Sequence, residues 1–287
     1  MPYIYLILSV FLIASNSILG TFYNKKNVGK NSTAIYNLLL VFGALISWAL
    51  ISLTSFEFHA ETLWFSLFFG VSYLLCNLSM ILALKNGPVS LTSLFLQLSL
   101  IGVTIWGFIF WNEKINLTVI IGLIVAVISI TFCLYQKNDS SENKLNAKWL
   151  FFACALFLSN GACTVIQKTQ IRVYGENYGN MLMLFAMLFA CVFCLIHFLL
   201  SNKKDAKVII KRTGYIPLIA GFFNGMLNLF VILMATKLPS SVVYPIISVG
   251  GLCISIFASV VIFKEKLEKN QWIGIALGVL AVLFLTI

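Results

Sequence analysis

Long apolar runs separated by short polar seams make up this chain. Ten runs can be marked, at residues 3–22, 33–54, 62–84, 89–111, 116–135, 149–167, 181–200, 215–236, 241–263 and 271–287. Each holds 17–23 residues, enough to cross a hydrocarbon core of about 30 Å as an α-helix. The seams carry the charges and turn formers, as in YNKKNVGKNS (23–32), QKNDSSENKLNAK (136–148) and SNKKDAKVIIKR (201–212). None is long enough for a soluble domain. The runs lack the alternating polarity of roughly ten-residue barrel strands, so helices are the expected spanning form. The first run has neither a basic leader nor a small-residue cleavage site, and reads as a retained helix.

Composition agrees. Of 287 residues, 61% are hydrophobic and 10% charged, with a mean hydropathy of +1.00. A soluble domain carries about 45–50% apolar and about 25% charged residues. The expected class is therefore an all-α polytopic membrane protein with ten transmembrane helices and the lipid bilayer as its surroundings.

The chain also repeats itself. WNEKINLTVIIGLIVAV (111–127) and FKEKLEKNQWIGIALGVLAV (263–282) each place a glycine, Gly122 or Gly274, nine residues after a glutamate, Glu113 or Glu265. In runs one and six, Ser15-Asn16 matches Ser159-Asn160. In runs three and eight, Gly70, Asn77-Leu78 and Ile81-Leu82 match Gly221, Asn228-Leu229 and Ile232-Leu233, and Pro88 then matches Pro239. The offset drifts only from about 144 to 152, so the whole chain is one duplication: 1–135, a linker at 136–148, and 149–287. Five spans per copy is an odd number, so the second copy enters the membrane upside down. Inverted repeats of this kind are the architecture of many secondary transporters, with the site near the midplane between the copies.

The NEKI and KEKL turns, the proline-led helices before them and the glycine-rich final helices resemble the EamA-type members of the drug/metabolite transporter superfamily. The resemblance covers essentially the whole chain, and the second-half stretch PSSVVYPIISVGG with FKEKLEKNQWIGIALGVLAV is its more specific part. The first half departs from it, with Leu94 opposite Pro245. The resemblance implies ten helices, a central cavity built largely by helices 3, 4, 8 and 9, alternating access, and cytoplasmic termini. Its substrates range over amino acids, nucleosides, sugars, choline and drugs.

Chemistry for catalysis is not in evidence. The two histidines are His59, in a seam beside Glu57 and Glu61, and His197, alone in an apolar run; both aspartates lie in seams. A solvated loop cluster explains His59 better than a metal, so no metal and no cofactor are expected. The seven cysteines all fall in the runs, and packing thiols are favoured over redox chemistry. Glu113 and Glu265 read as turn and capping residues.

The runs do contain uncharged polar groups, and these must bond to neighbouring helices or face a wet cavity. The pairs Asn16 with Asn160 and Asn77 with Asn228 read first as helix glue kept by the duplication, and second as cavity residues. Gln97, Ser93 and Ser99, with Tyr244 and Ser248, are the stronger candidates for substrate. Ser93 aligns with Tyr244 and Gln97 with Ser248, so they would converge across a pseudo-twofold axis. Asn224 and Tyr73 flank them. Gly87, Pro88, Pro239 and Pro245 would break or bend the helices about which gating occurs. With no carboxylate at midplane depth, an uncharged or zwitterionic small-molecule substrate fits best; a quaternary amine held by aromatic faces stays open.

Charge sets orientation. Seams after odd-numbered runs hold 15 of the 19 basic residues, which places them in the cytoplasm and both termini outside, against the resemblance. The basic residues are scattered over many loops, so the net charge of +10 is no argument for nucleic acid. The expected function is secondary transport of a small metabolite across the cell membrane. A non-transporting receptor or assembly factor that keeps the fold, and efflux of drug-like compounds, are the rivals. Monomer and homodimer both stay open.

Overall fold

The computed structural model describes residues 2–27, 32–111, 117–134, 146–201, 206–235 and 240–286. Among the described residues there are twelve α-helices and no strand. They are α1 (Pro2–Lys26), α2 (Ser32–Ser52), α3 (Thr62–Asn86), α4 (Val89–Leu98), α5 (Leu100–Trp111) and α6 (Leu117–Leu134). A linker leads to α7 (Ala147–Tyr174), a single 3-10 turn (Glu176–Tyr178), α8 (Gly179–Leu200), α9 (Ala206–Thr213), α10 (Tyr215–Ala235), α11 (Ser240–Val261) and α12 (Lys269–Thr286). Five of them, α1, α2, α3, α7 and α8, are long and apolar enough to cross a membrane by length and composition.

Three features depart from the reading of the runs. The fourth run is two helices, parted at Ser99, whose Oγ donates back to the Leu96 C=O at 2.7 Å. The seam 201–212 contains α9, whose alternation of apolar and basic residues hid a helix of eight residues. The sixth run extends to Tyr174, because Gln167 and Lys168 continue the helix instead of ending it.

Packing follows a matched pattern. α3 lies against α7 and α8, while α10 lies against α1 and α2; α2 meets α8, and α6 meets α12. Close crossings need small residues, since hydrocarbon solvent gives helices little hydrophobic reason to associate. The repeated glycines supply them. A Cβ on Gly221 would sit 1.8 Å from the Leu40 carbonyl oxygen of α2, and one on Gly70 2.7 Å from the Ala186 carbonyl oxygen of α8.

The two largest buried clusters hold much of the bundle. One gathers Tyr36, Trp48, Phe69, Tyr73, Met183 and Met187 from α2, α3 and α8; the other gathers Leu91, Leu94, Trp149, Leu252 and Ile275 from α4, α7, α11 and α12. Outside them Phe68, Leu158 and Leu200 are 60%, 67% and 83% exposed. Large apolar side chains presented outward in this number suit a hydrocarbon solvent, not water.

Candidate functional site

The polar groups of the bundle are placed by two helices with the same spacing. On α3, Gly70, Tyr73 and Asn77 follow one another at i, i+3 and i+7; on α10, Gly221, Asn224 and Asn228 do the same. That spacing puts each trio on one helix face. Each glycine admits a neighbouring helix, and the residues above it turn towards the other copy. Asn77 Nδ2 donates to the Tyr73 C=O at 2.8 Å, and Asn228 Nδ2 donates to the Asn224 C=O at 2.8 Å. The two asparagines thus make the same bond to their own helices. Between the trios, Tyr73 Oη donates to Asn224 Oδ1 at 3.0 Å, and Asn228 Nδ2 reaches the same oxygen at 3.4 Å. Tyr73 and Asn224 stand at the repeat offset, so this bond joins two equivalent positions.

A second polar contact links α4 to α1, where Ser93 Oγ donates to Ser17 Oγ at 2.9 Å. Gln97, one turn further along α4, is 7% exposed, and Ser248 on α11 is 8% exposed. Neither side chain has a hydrogen-bond partner among the described residues. Ser17 is a site residue the sequence did not single out; its neighbour Asn16 drew the notice, and a serine in a span bonds its own helix too readily to signal anything.

Asn160 is used differently from its mate. Its Nδ2 donates to Ser99 Oγ at 2.7 Å and approaches the Leu96 C=O at 3.4 Å, while its Oδ1 accepts from Cys76 Sγ at 3.7 Å. These bonds serve the groups freed where α4 gives way to α5. Asn16 Oδ1 is buried with no partner among the described residues. The α11 backbone beside α1 runs unbroken and frees nothing for it.

Of the hinge candidates, Pro88 begins α4 as its N-cap residue, with ψ of 142°. Gly87 lies against the first turn of α7, where a Cβ would meet the Trp149 ring at 2.3 Å. Trp149 Nε1 in turn donates to Thr92 Oγ1 at 3.0 Å, which fastens the start of α4 to α7. Pro239 and Glu113 lie outside the described residues, and so does the Tyr244 side chain. α11 passes through Pro245 without interruption, so the break in a proline-led helix falls at Ser99 instead.

The His59 loop packs on the end of α7. The imidazole lies 4.8 and 5.0 Å from the Tyr174 and Tyr178 rings, and Tyr174 Oη donates to Glu61 Oε2. The imidazole is half-buried between these rings, while Glu57 and Glu61 stay exposed in the loop, as a solvated cluster requires. Among the described residues no group of three His, Cys, Asp or Glu side chains is placed to hold a metal ion.

An all-helical bundle with an apolar exterior and uncharged polar groups buried between matched helices is a multi-pass membrane protein of transport type. The profile of the EamA-like transporter family matches residues 1–135 and again 147–287, and the chain belongs to that family. Its members are transporters, which implies a small-molecule substrate and contact with membrane lipid. An uncharacterized protein of Haemophilus influenzae is 25% identical over 192 residues, covering 65% of this chain. The match spans 62% of that relative's length. A crystal structure described only as that of a protein superposes with a TM-score of 0.59 at 13% identity, covering 98% of each chain. At that identity the likeness concerns the fold alone.

Proposed function

We propose that the chain is a secondary transporter whose two five-span copies, 1–135 and 149–287, are joined by the linker 136–148 and related by inversion. They carry a small uncharged or zwitterionic metabolite, such as an amino acid or a nucleoside, by alternating access. In this reading α4 with α5 forms one span, and α9 leads into the span of α10, which gives ten. The pairing of α3 with α8 and of α10 with α2 supports the inversion, since each contact has its counterpart in the other copy.

The observation that carries the reading is the Tyr73–Asn224 bond between equivalent positions, flanked by Asn77 and Asn228. A polar pair at the junction of two rocking halves sits where a substrate would be bound and released. Gln97, Ser93, Ser248 and Tyr244 complete the proposed lining, Asn16 and Asn160 close it at the sides, and Gly87, Pro88 and Pro239 mark the bending points. With no midplane carboxylate, recognition rests on amide and hydroxyl groups.

The test is ligand-dependent melting of the purified protein against amino acids, nucleosides, sugars and choline-like amines, followed by flux in liposomes. A true ligand at 100 times its dissociation constant stabilises by about 2.7 kcal/mol. The expected result is a dose-dependent shift for one class, lost in Gln97→Ala, with saturable flux of the same compounds. If Gln97→Ala and Tyr244→Phe leave binding and flux unchanged, the proposed cavity is wrong. Binding without flux favours the receptor alternative.

A further inference from the structure

Where α11 ends, the chain turns through Lys264, whose φ of 56° is the left-handed non-glycine backbone among the described residues. Glu265 N–H then donates to the Ser259 C=O at 3.0 Å, closing the helix end. The turn aims the Glu265 side chain away from its own loop and at the start of α4. Val89 N–H donates to Oε1 at 2.5 Å; Ser90 N–H and Ser90 Oγ donate to Oε2 at 3.3 and 3.1 Å. The first amides of a helix have no partner within it and carry the positive end of its dipole. Pro88, the N-cap residue, offers no side-chain cap. A carboxylate near the end of the chain therefore completes a helix of the first half.

The contact stands beside an opening. Glu265, Val89 and Gly87, with Thr21, Asn24 and Lys85, line a pocket of about 400 Å³. Thr21 bonds the Ser17 C=O at 2.8 Å, and Ser17 holds Ser93 one turn deeper, so the pocket leads along one face of α1 towards the polar groups of the bundle. On the other side Phe263 packs edge-on to Phe22 and carries Lys25 Nζ 4.6 Å above its ring.

We propose that Glu265 is a latch that holds this face of the protein shut. The inference rests on the alternating-access reading above. Opening here requires the end of α11 to part from the start of α4, and the carboxylate must then give up three donors, two of them backbone amides that only water can serve. The closed state alone makes these bonds, so they bias the population towards it. Glu265 is a positioning residue: it sets which face is open and touches no substrate.

The experiment uses the full chain in lipid nanodiscs, free of native cysteines, with both faces open to a membrane-impermeant maleimide. Thr21→Cys, 4% exposed in the present state, reports on the pocket. Thr169→Cys, near the far end of α7, reports on the opposite side. Glu265→Gln is expected to raise the labelling rate at Thr21→Cys about fivefold, the size of a lost helix cap, and to leave Thr169→Cys unchanged. Val89→Pro gives an independent route, since proline is accepted at a first helical position and deletes the shortest bond. It should act in the same direction and add little to Glu265→Gln. Unchanged labelling at Thr21→Cys with a lower melting temperature would make Glu265 a static cap and overturn the latch. A rise at both reporters would mean general loosening and overturn it too. Labelling needs no substrate, so absence of flux from the unmutated protein would refute transport separately.

Discussion

Single atoms decide several positions here. Gly221 has the Leu40 carbonyl 1.8 Å from where a Cβ would stand, and Gly70 has the Ala186 carbonyl at 2.7 Å. Backbone cannot retreat as a side chain can, so Gly221→Ala should cost about 1–3 kcal/mol and Gly70→Ala less, read as melting temperature in detergent. Gly87 is required for a related reason. Its φ of −165° is ordinary extended backbone, but the rigid Trp149 ring fills the space a methyl would need. Lys264 is the reverse case, with room for a side chain in a conformation that disfavours one. Lys264→Val should lose about 1–2 kcal/mol of stability, and Lys264→Gly should lose none.

Among the elements, the divided fourth apolar run separates the two copies most clearly. α4 and α5 part at Ser99, and Asn160 from α7 serves the freed groups, whereas α11 runs through Pro245 unbroken. Asn160→Leu and Ser99→Ala should each destabilise by about 0.6–1.7 kcal/mol, and the double variant by less than their sum, because they share one bond. The sequence offered no hint of this break. A serine in an apolar run is compatible with an unbroken helix, and the eye goes to prolines. What could be read in advance was a bundle of apolar helices, because length and apolarity fix it, and the match of Asn77 with Asn228, because identical residues in identical positions stand out. The helix-glue reading of that pair did not carry over, since each amide donates to its own helix. The Tyr73–Asn224 bond could not be read that way. A hydrogen bond between equivalent positions needs a donor facing an acceptor, so its two members differ, and a search for likeness passes over them. The reach of Glu265 to Val89 was hidden for another reason: a capping residue is ordinarily sought beside the helix it caps.

For the whole molecule, the matched contacts and the charge distribution make one prediction together. Loops after odd-numbered apolar runs carry 15 of 19 basic residues, and the expected orientation is therefore Lys25, Lys85 and Glu265 on the cytoplasmic face with both termini outside. Fused to the C-terminus, alkaline phosphatase should be active and a green fluorescent reporter dark; the reverse pattern would move the latched face to the outside.

The cap that Glu265 lends to α4 also bears on how the chain is made. Val89 and Ser90 are synthesised about 175 residues before the carboxylate that satisfies them. At the elongation rates of cells, on the order of 5–20 residues per second, α4 waits about 10–35 seconds with its leading amides unserved. The first copy therefore cannot reach its finished form while it alone has left the ribosome. Its last bonds, those at the start of α4 among them, close only when the final helices arrive.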